Sequence, residues 1–169
     1  VCVKTTNLDP IAVTVIMVAL DVVAALVGVV FGGMMRLFRL SVKYFAPIFF
    51  LLGYLCFATS PSLPSLLVGC LFIGIANGIG VPYLNTIASI KAGQDAATTV
   101  MPLLSAALYA GQFLSPLVAT PIAAKFFPDN LSGIYWIACA FSVLFLLEAF
   151  ATRRFQSLPP KEYSLNIQD

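Results

Sequence analysis

Three side chains stand where polarity is costly to place. Asp21, Asn77 and Gln112 each interrupt a long apolar run: IAVTVIMVALDVVAALVGVVFGG, SLLVGCLFIGIANGIGVPYLNTI and PLLSAALYAGQFLSP. At about 1.5 Å of rise per residue, Asp21 falls midway between Pro10 and Arg36 and Asn77 midway between Pro64 and Lys91, while Gln112 is near the middle of its own run. Three polar groups at one depth, on three different helices, can line one water-filled site. A carboxylate at the centre of a bilayer costs something like 2.5–3.5 kcal/mol on insertion scales, so Asp21 needs a cavity, a partner or a proton. Two roles are open to it: contacting a solute or coupling to protons, or fixing helix packing as a neutral, hydrogen-bonded group. For Asn77 and Gln112 the plainer role is interhelical hydrogen bonding.

Other chemistry is sparse. The chain has no histidine, which removes imidazole bases and His metal sites together. Cys2, Cys56, Cys70 and Cys139 show no CxxC spacing and read as small apolar side chains. No paired carboxylates, nucleophile elbow or metal-ligand cluster is visible, and the glycines of IGIANGIG lie within a run rather than between a strand and a helix, so they are not a nucleotide fingerprint. An enzyme would have to draw on Asp21, Asn77, Tyr83, Asn85 and Gln112 alone. The expectation is a protein that is not an enzyme and uses no cofactor, no metal and no nucleic acid.

The elements that must position the polar trio are apolar helices. Hydrophobic residues make up 60% of the chain and charged residues 9%, against about 25% charged in a soluble domain; mean hydropathy is +0.99. Too few charges remain to solvate a globule, so the partner of this surface is a lipid bilayer. About 20 apolar residues cross its core. The sequence predicts an all-α, polytopic transmembrane bundle of five spans, at about 11–33, 44–58, 65–87, 99–123 and 131–152, after an external segment 1–10 and before a polar tail 153–169. Asp9 suits an N-cap and Pro10 the first helical position. Thr59-Ser60-Pro61-Ser62-Leu63-Pro64 is a turn rich in breakers, KAGQDAAT separates the third and fourth spans, and Lys125 to Asn130 precedes the fifth.

Arg36, Arg39, Lys43, Lys91, Arg153, Arg154 and Lys161 fall on one side of these spans and only Lys4 and Lys125 on the other. The positive-inside rule makes the first side cytoplasmic, with the N-terminus outside and Tyr135 and Trp136 at the outer interface. Glu148 reads as an interfacial residue. The chain begins at Val1 without a signal peptide, and an external N-terminus with an odd span number points to the C-terminal piece of a longer protein.

The spans differ in character. Small residues that let helix backbones approach occur in the first (Ala24, Gly28, Gly32), the third (Gly74, Gly78) and the fourth (Ala107, Gly111, Ser115). Pro82 and Pro116 interrupt two of these and can act as fixed bends or hinges. Aromatics concentrate in the second (Tyr44, Phe45, Phe49, Phe50, Tyr54, Phe57) and the fifth (Tyr135, Trp136, Phe141, Phe145, Phe150). The expectation is that the first, third and fourth spans form the packed interior and the second and fifth face lipid.

This order of elements resembles the last five helices, the eighth to the twelfth, of a major facilitator superfamily transporter, of bacterial type. The matching segments are Gly32-Gly33 running into the basic loop of Arg36, Arg39 and Lys43, then Gly69-x4-Gly74-x3-Gly78-x-Gly80-x-Pro82, and Gly111-Gln112-Phe113-Leu114-Ser115-Pro116. The family's loop carries an Asp and a second Gly that MMRLFRLSVKY lacks. The resemblance covers about Leu8 to Arg154. It implies two six-helix halves with alternating access around a midplane site, bordered by the eighth, tenth and eleventh helices. It further implies secondary-active transport of a small organic solute across a bacterial inner membrane, with proton coupling as one option, and an N-terminal half as partner. The other readings are a non-transporting membrane subunit or scaffold, and a five-span repeat of another transporter fold.

Overall fold

The computed structural model of the chain describes residues 9–38, 41–59, 62–128 and 133–152. The external residues 1–8, Arg39, Asn130, Arg153, Arg154 and the rest of the tail lie outside them. The described residues form five helices, all long and apolar enough to cross a membrane. α1 is Pro10–Phe38 and α2 is Val42–Thr59. A helical stretch Leu63–Phe126 bends at Gly93 into α3 (Leu63–Gly93) and α4 (Thr98–Phe126). α5 is Gly133–Ala151.

The ends follow local chemistry. Asp9 stands at the start of α1, where its carbonyl accepts from the Val13 N–H at 3.2 Å and its carboxylate from the Ile11 N–H at 3.5 Å. Ser62, with extended backbone, begins α3 one residue before the Leu63-Pro64 pair. α1 runs on through Gly32 and Gly33 to Phe38, further than 11–33, because Met34, Met35, Arg36 and Leu37 are good helix formers.

KAGQDAAT is not an open loop. Helical geometry persists there except at Gly93 (φ 71°, ψ 176°), since Ala, Gln and Lys all favour helix and only glycine enters that part of φ/ψ space without strain. Pro82 and Pro116 keep helical backbone dihedrals, and Gly93 is the residue at which they break. Gly93→Ala should cost about 1–3 kcal/mol of backbone strain with no steric term, because no described atom lies within 4 Å of the added Cβ. A drop in the thermal midpoint of the detergent-solubilised protein reads it out, and an unchanged midpoint contradicts the strained geometry.

α3 is the central element. Gly74 and Gly78 seat it on α1: a Cβ at Gly74 would lie 2.9 Å from the Leu20 carbonyl oxygen, and one at Gly78 2.5 Å from that of Ala24. Residue numbers rise together across this seam, so α1 and α3 run parallel. On its other side Gly69 meets Gly53 of α2, each glycine's Cβ position lying 3.0 Å from the other's carbonyl oxygen. The Ser65 hydroxyl donates to the Cys56 carbonyl at 2.6 Å, and α2 runs antiparallel to α3. α5 lies along α2, with Tyr44 on Phe150 at 4.7 Å and Phe57 on Tyr135 at 5.2 Å between ring centres. Phe31, Val42 and Ile79 form the core where α1, α2 and α3 converge, covered by Met34, Phe45, Phe49 and Tyr83.

The interior is therefore distributed differently from the expectation. α2 is not a lipid-facing cover: Pro47 and Gly53 are buried, and its aromatics stack inward, as Phe49 does on Phe72 at 5.9 Å. α4 is not packed inside; no residue of its most apolar stretch is buried. Small residues permit close approach but do not supply a partner, and among the described residues nothing comes within 4 Å of a Cβ at Gly111 or Gly32. α5 does expose Trp136, Phe141, Phe145 and Phe150.

Candidate functional site

The polar trio sits on α1, α3 and α4. On α1 the face toward α3 is made by Leu20, Val23, Ala24 and Val27. Asp21 is turned about 100° from Leu20, and it is exposed. Leu20 is level with Gly74 and Ala24 with Gly78, so Asp21 and Asn77 share one depth. Asn77 is half-buried, between Ala76 and Gly78, which are both buried. Gln112 lies midway between Thr98 and Phe126 and is exposed. No hydrogen bond or ion pair joins any two of the three. Each occupies mid-helix, as expected, but the chain does not gather them into one cluster.

Two of the helix-packing residues acquire a chemical consequence. Pro82 has no N–H to give to the Gly78 carbonyl, and that oxygen faces α1, 3.9 Å from a Cβ placed at Gly28. The freed acceptor lies at the α1–α3 seam, next in sequence to Asn77. One turn on, the Thr86 hydroxyl donates to the Pro82 carbonyl at 2.8 Å, steadying the helix beyond the proline.

Gly111, Ser115 and Pro116 line a cleft of about 780 Å³ between α2, α4 and α5. Its opposite walls carry Phe50, Tyr54, Tyr135 and Phe141. The size is that of small-molecule sites, which span about 300–1,000 Å³. The lining holds no carboxylate or amine. Ser142, also in the wall, gives its hydroxyl to the Ala138 carbonyl at 2.9 Å. The cleft suits an apolar or aromatic group. Sequence reasoning missed it because residues of three distant segments build it.

A second polar group emerges where the first turn of α2 and the last turns of α5 meet the second half of α3. Tyr44 stacks on Phe150, Tyr83 lies within electrostatic reach of Tyr44 and Glu148, and Lys43 places its ammonium 5.1 Å from the Tyr44 ring centre. The Tyr44 hydroxyl is enclosed and has no hydrogen-bond partner among the described residues. Leaving a buried hydroxyl unsatisfied costs about 1–3 kcal/mol. Tyr44→Phe keeps the ring stack and removes the orphan, so it should raise the unfolding midpoint by the equivalent of about 1 kcal/mol. A fall in stability would show that the hydroxyl has a partner in the folded protein. Arg36, from the same basic segment, is exposed in the last turn of α1.

Among the described residues no group of His, Cys, Asp and Glu could hold a metal ion. The chain matches no protein-family model, and no curated protein or solved structure is significantly similar to it.

Proposed function

We propose that this chain is the C-terminal part of a secondary-active transporter of major facilitator type, moving a small organic solute across a bacterial inner membrane without using a nucleotide. The observation that carries the reading is Asp21: a carboxylate in mid-helix, within an apolar span, turned away from the rest of the chain. Lipid is a poor neighbour for that charge. It requires a water-filled cavity or helices that this chain does not contain. The exposed Gly111–Ser115 face of α4 has the small residues of a helix contact and opens on the cleft toward α2 and α5, with no helix packed into it. A midplane site at the junction of two halves, with this half rocking against an N-terminal one, accounts for both features. In that arrangement Arg36 and Lys43 lie on the cytoplasmic side, and the N-terminus outside.

The competing reading is a non-transporting membrane subunit in which Asp21 is hydrogen-bonded to a partner helix. Flux separates the two. The protein carrying its upstream coding sequence is reconstituted in liposomes, and uptake of a panel of labelled organic solutes is followed with and without an imposed pH gradient. Saturable uptake by the longer protein, and none by this chain alone, is the expected result. No flux across the panel from a folded, correctly inserted longer protein favours the subunit.

A further inference from the structure

The cleft between α2, α4 and α5 takes in none of the polar trio, and its walls have a chemistry of their own. Phe50 and Tyr54 stand on the α2 wall with ring centres 6.1 Å apart and planes 12° from parallel. Tyr135 and Phe141 stand on the α5 wall. The α4 wall is bare backbone at Gly111, where an added Cβ meets no described atom within 4 Å. Rings of one orientation across from unfilled backbone leave room for a flat group to stack. Ser142 in the lining is satisfied within its own helix, but the hydroxyls of Tyr54 and Ser115 make no hydrogen bond with any described residue. The Tyr54 hydroxyl is also within reach of a ligand, unlike that of Tyr44, which packing encloses.

Other occupants fit these walls poorly. A lipid chain is apolar throughout and leaves both hydroxyls unpaired, which is costly where water is scarce. A transmembrane helix is too large: 780 Å³ holds about two turns of a helix roughly 10 Å across, whereas crossing a bilayer takes about 20 residues. Its backbone groups are also already paired within the helix, so they offer the hydroxyls no acceptor. A charged ligand would meet no countercharge, since the lining carries none, and burying it unpaired is expensive. A neutral aromatic molecule with an acceptor at its edge satisfies both requirements. Its ring stacks on Phe50 and Tyr54, and its acceptor takes the two hydroxyl hydrogens.

We propose that this cleft binds a neutral, flat aromatic molecule bearing a carbonyl acceptor, with Tyr54 and Ser115 donating to it. This rests on the helices lying in a bilayer and is independent of transport. The test uses the whole chain in neutral detergent, with 2-acetylnaphthalene as the probe. The ethyl analogue keeps the shape without the carbonyl, and naphthoate adds a charge. Dialysis against protein-free micelles separates saturable binding from partition, and quenching of Trp136, the single tryptophan and next to Tyr135, reports it independently. The ketone should saturate a single site about twentyfold more tightly than the ethyl analogue, the value of two hydrogen bonds, and naphthoate should not saturate. Tyr54→Phe and Ser115→Ala should each weaken the ketone about fivefold. Gly111→Leu, which projects into the cleft without a clash, should abolish saturation. Equal binding of ketone and ethyl analogue, saturable binding of naphthoate, or undiminished binding by Gly111→Leu overturns the proposal. So does a phospholipid retained in native mass spectra that the ketone does not displace, which gives the cleft to an acyl chain. Binding that disappears in the protein carrying its upstream coding sequence overturns it too, and gives the cleft to a helix. The comparison of ketone and ethyl analogue on the wild-type chain decides even where a variant does not fold. Solute flux is a separate readout, so a failure of transport leaves this result standing.

Discussion

Gly78→Leu should part α1 from α3 and destabilise the protein by several kcal/mol. A Cβ at this position would stand 2.5 Å from the Ala24 carbonyl oxygen and 2.7 Å from the Val27 Cβ. Neither atom is the end of a flexible side chain, so the obstruction cannot be relieved by a rotamer change, and the helices must separate. Overpacking costs about 1–3 kcal/mol where a core can adjust; the whole leucine here also displaces Val23 and Val27 from the seam. Gly74→Leu should behave similarly, its Cβ lying 2.9 Å from the Leu20 oxygen. Gly111→Leu and Gly32→Leu are the controls. Their Cβ positions meet no described atom within 4 Å, so each should be neutral or gain up to about 1 kcal/mol from better helix propensity. Unfolding of detergent-solubilised variants by heat or SDS measures the contrast. Equal stability of Gly78→Leu and Gly111→Leu would overturn the α1–α3 seam as described.

Asp21→Asn should have opposite consequences in the two settings. In this chain alone it removes a charge that costs about 2.5–3.5 kcal/mol in mid-membrane and that no described residue pairs with, so stability and insertion should hold or improve. In the longer transporting protein, pH-gradient-driven flux should fall by about tenfold or more, equivalent to ~1.4 kcal/mol or more on the barrier. A proton-coupling carboxylate cannot be replaced by an amide that does not titrate. The pair of measurements separates a coupling group from a packing group. If flux and its pH dependence are unchanged while insertion improves, Asp21 has no part in transport.

Much of the fold was legible because the bilayer imposes a length and a composition that local sequence reports directly. Pro10 after Asp9, the Ser62–Pro64 turn and the unbroken apolar runs place five helices with no knowledge of their neighbours. Glycine spacing also carried real information at Gly74 and Gly78, since close approach of backbones leaves no alternative residue. At Gly111 and Gly32 the same spacing meets no described neighbour within 4 Å of an added Cβ. A small residue states that a helix can come close and says nothing about whether one does. The second helix shows the converse: Tyr44, Phe49 and Phe57 look like lipid-facing bulk in one dimension, yet aromatic faces stack equally well on Phe150, Phe72 and Tyr135. The KAGQDAAT segment was misjudged because its Gly and Asp suggested a loop, where its alanines outweigh them and confine the bend to Gly93.

For the polar residues the division is sharper. Residue identity and distance along a helix are one-dimensional, and they sufficed to set Asp21, Asn77 and Gln112 at mid-span. Direction around the helix depends on which neighbours occupy each face, and only packing decided that Asp21 turns outward while Asn77 is half-buried. The buried Lys43 and the enclosed Tyr44 hydroxyl belong wholly to the tertiary structure. Their burial arises where α2, α3 and α5 converge, and burial is a property of contacts between segments that no stretch of sequence contains.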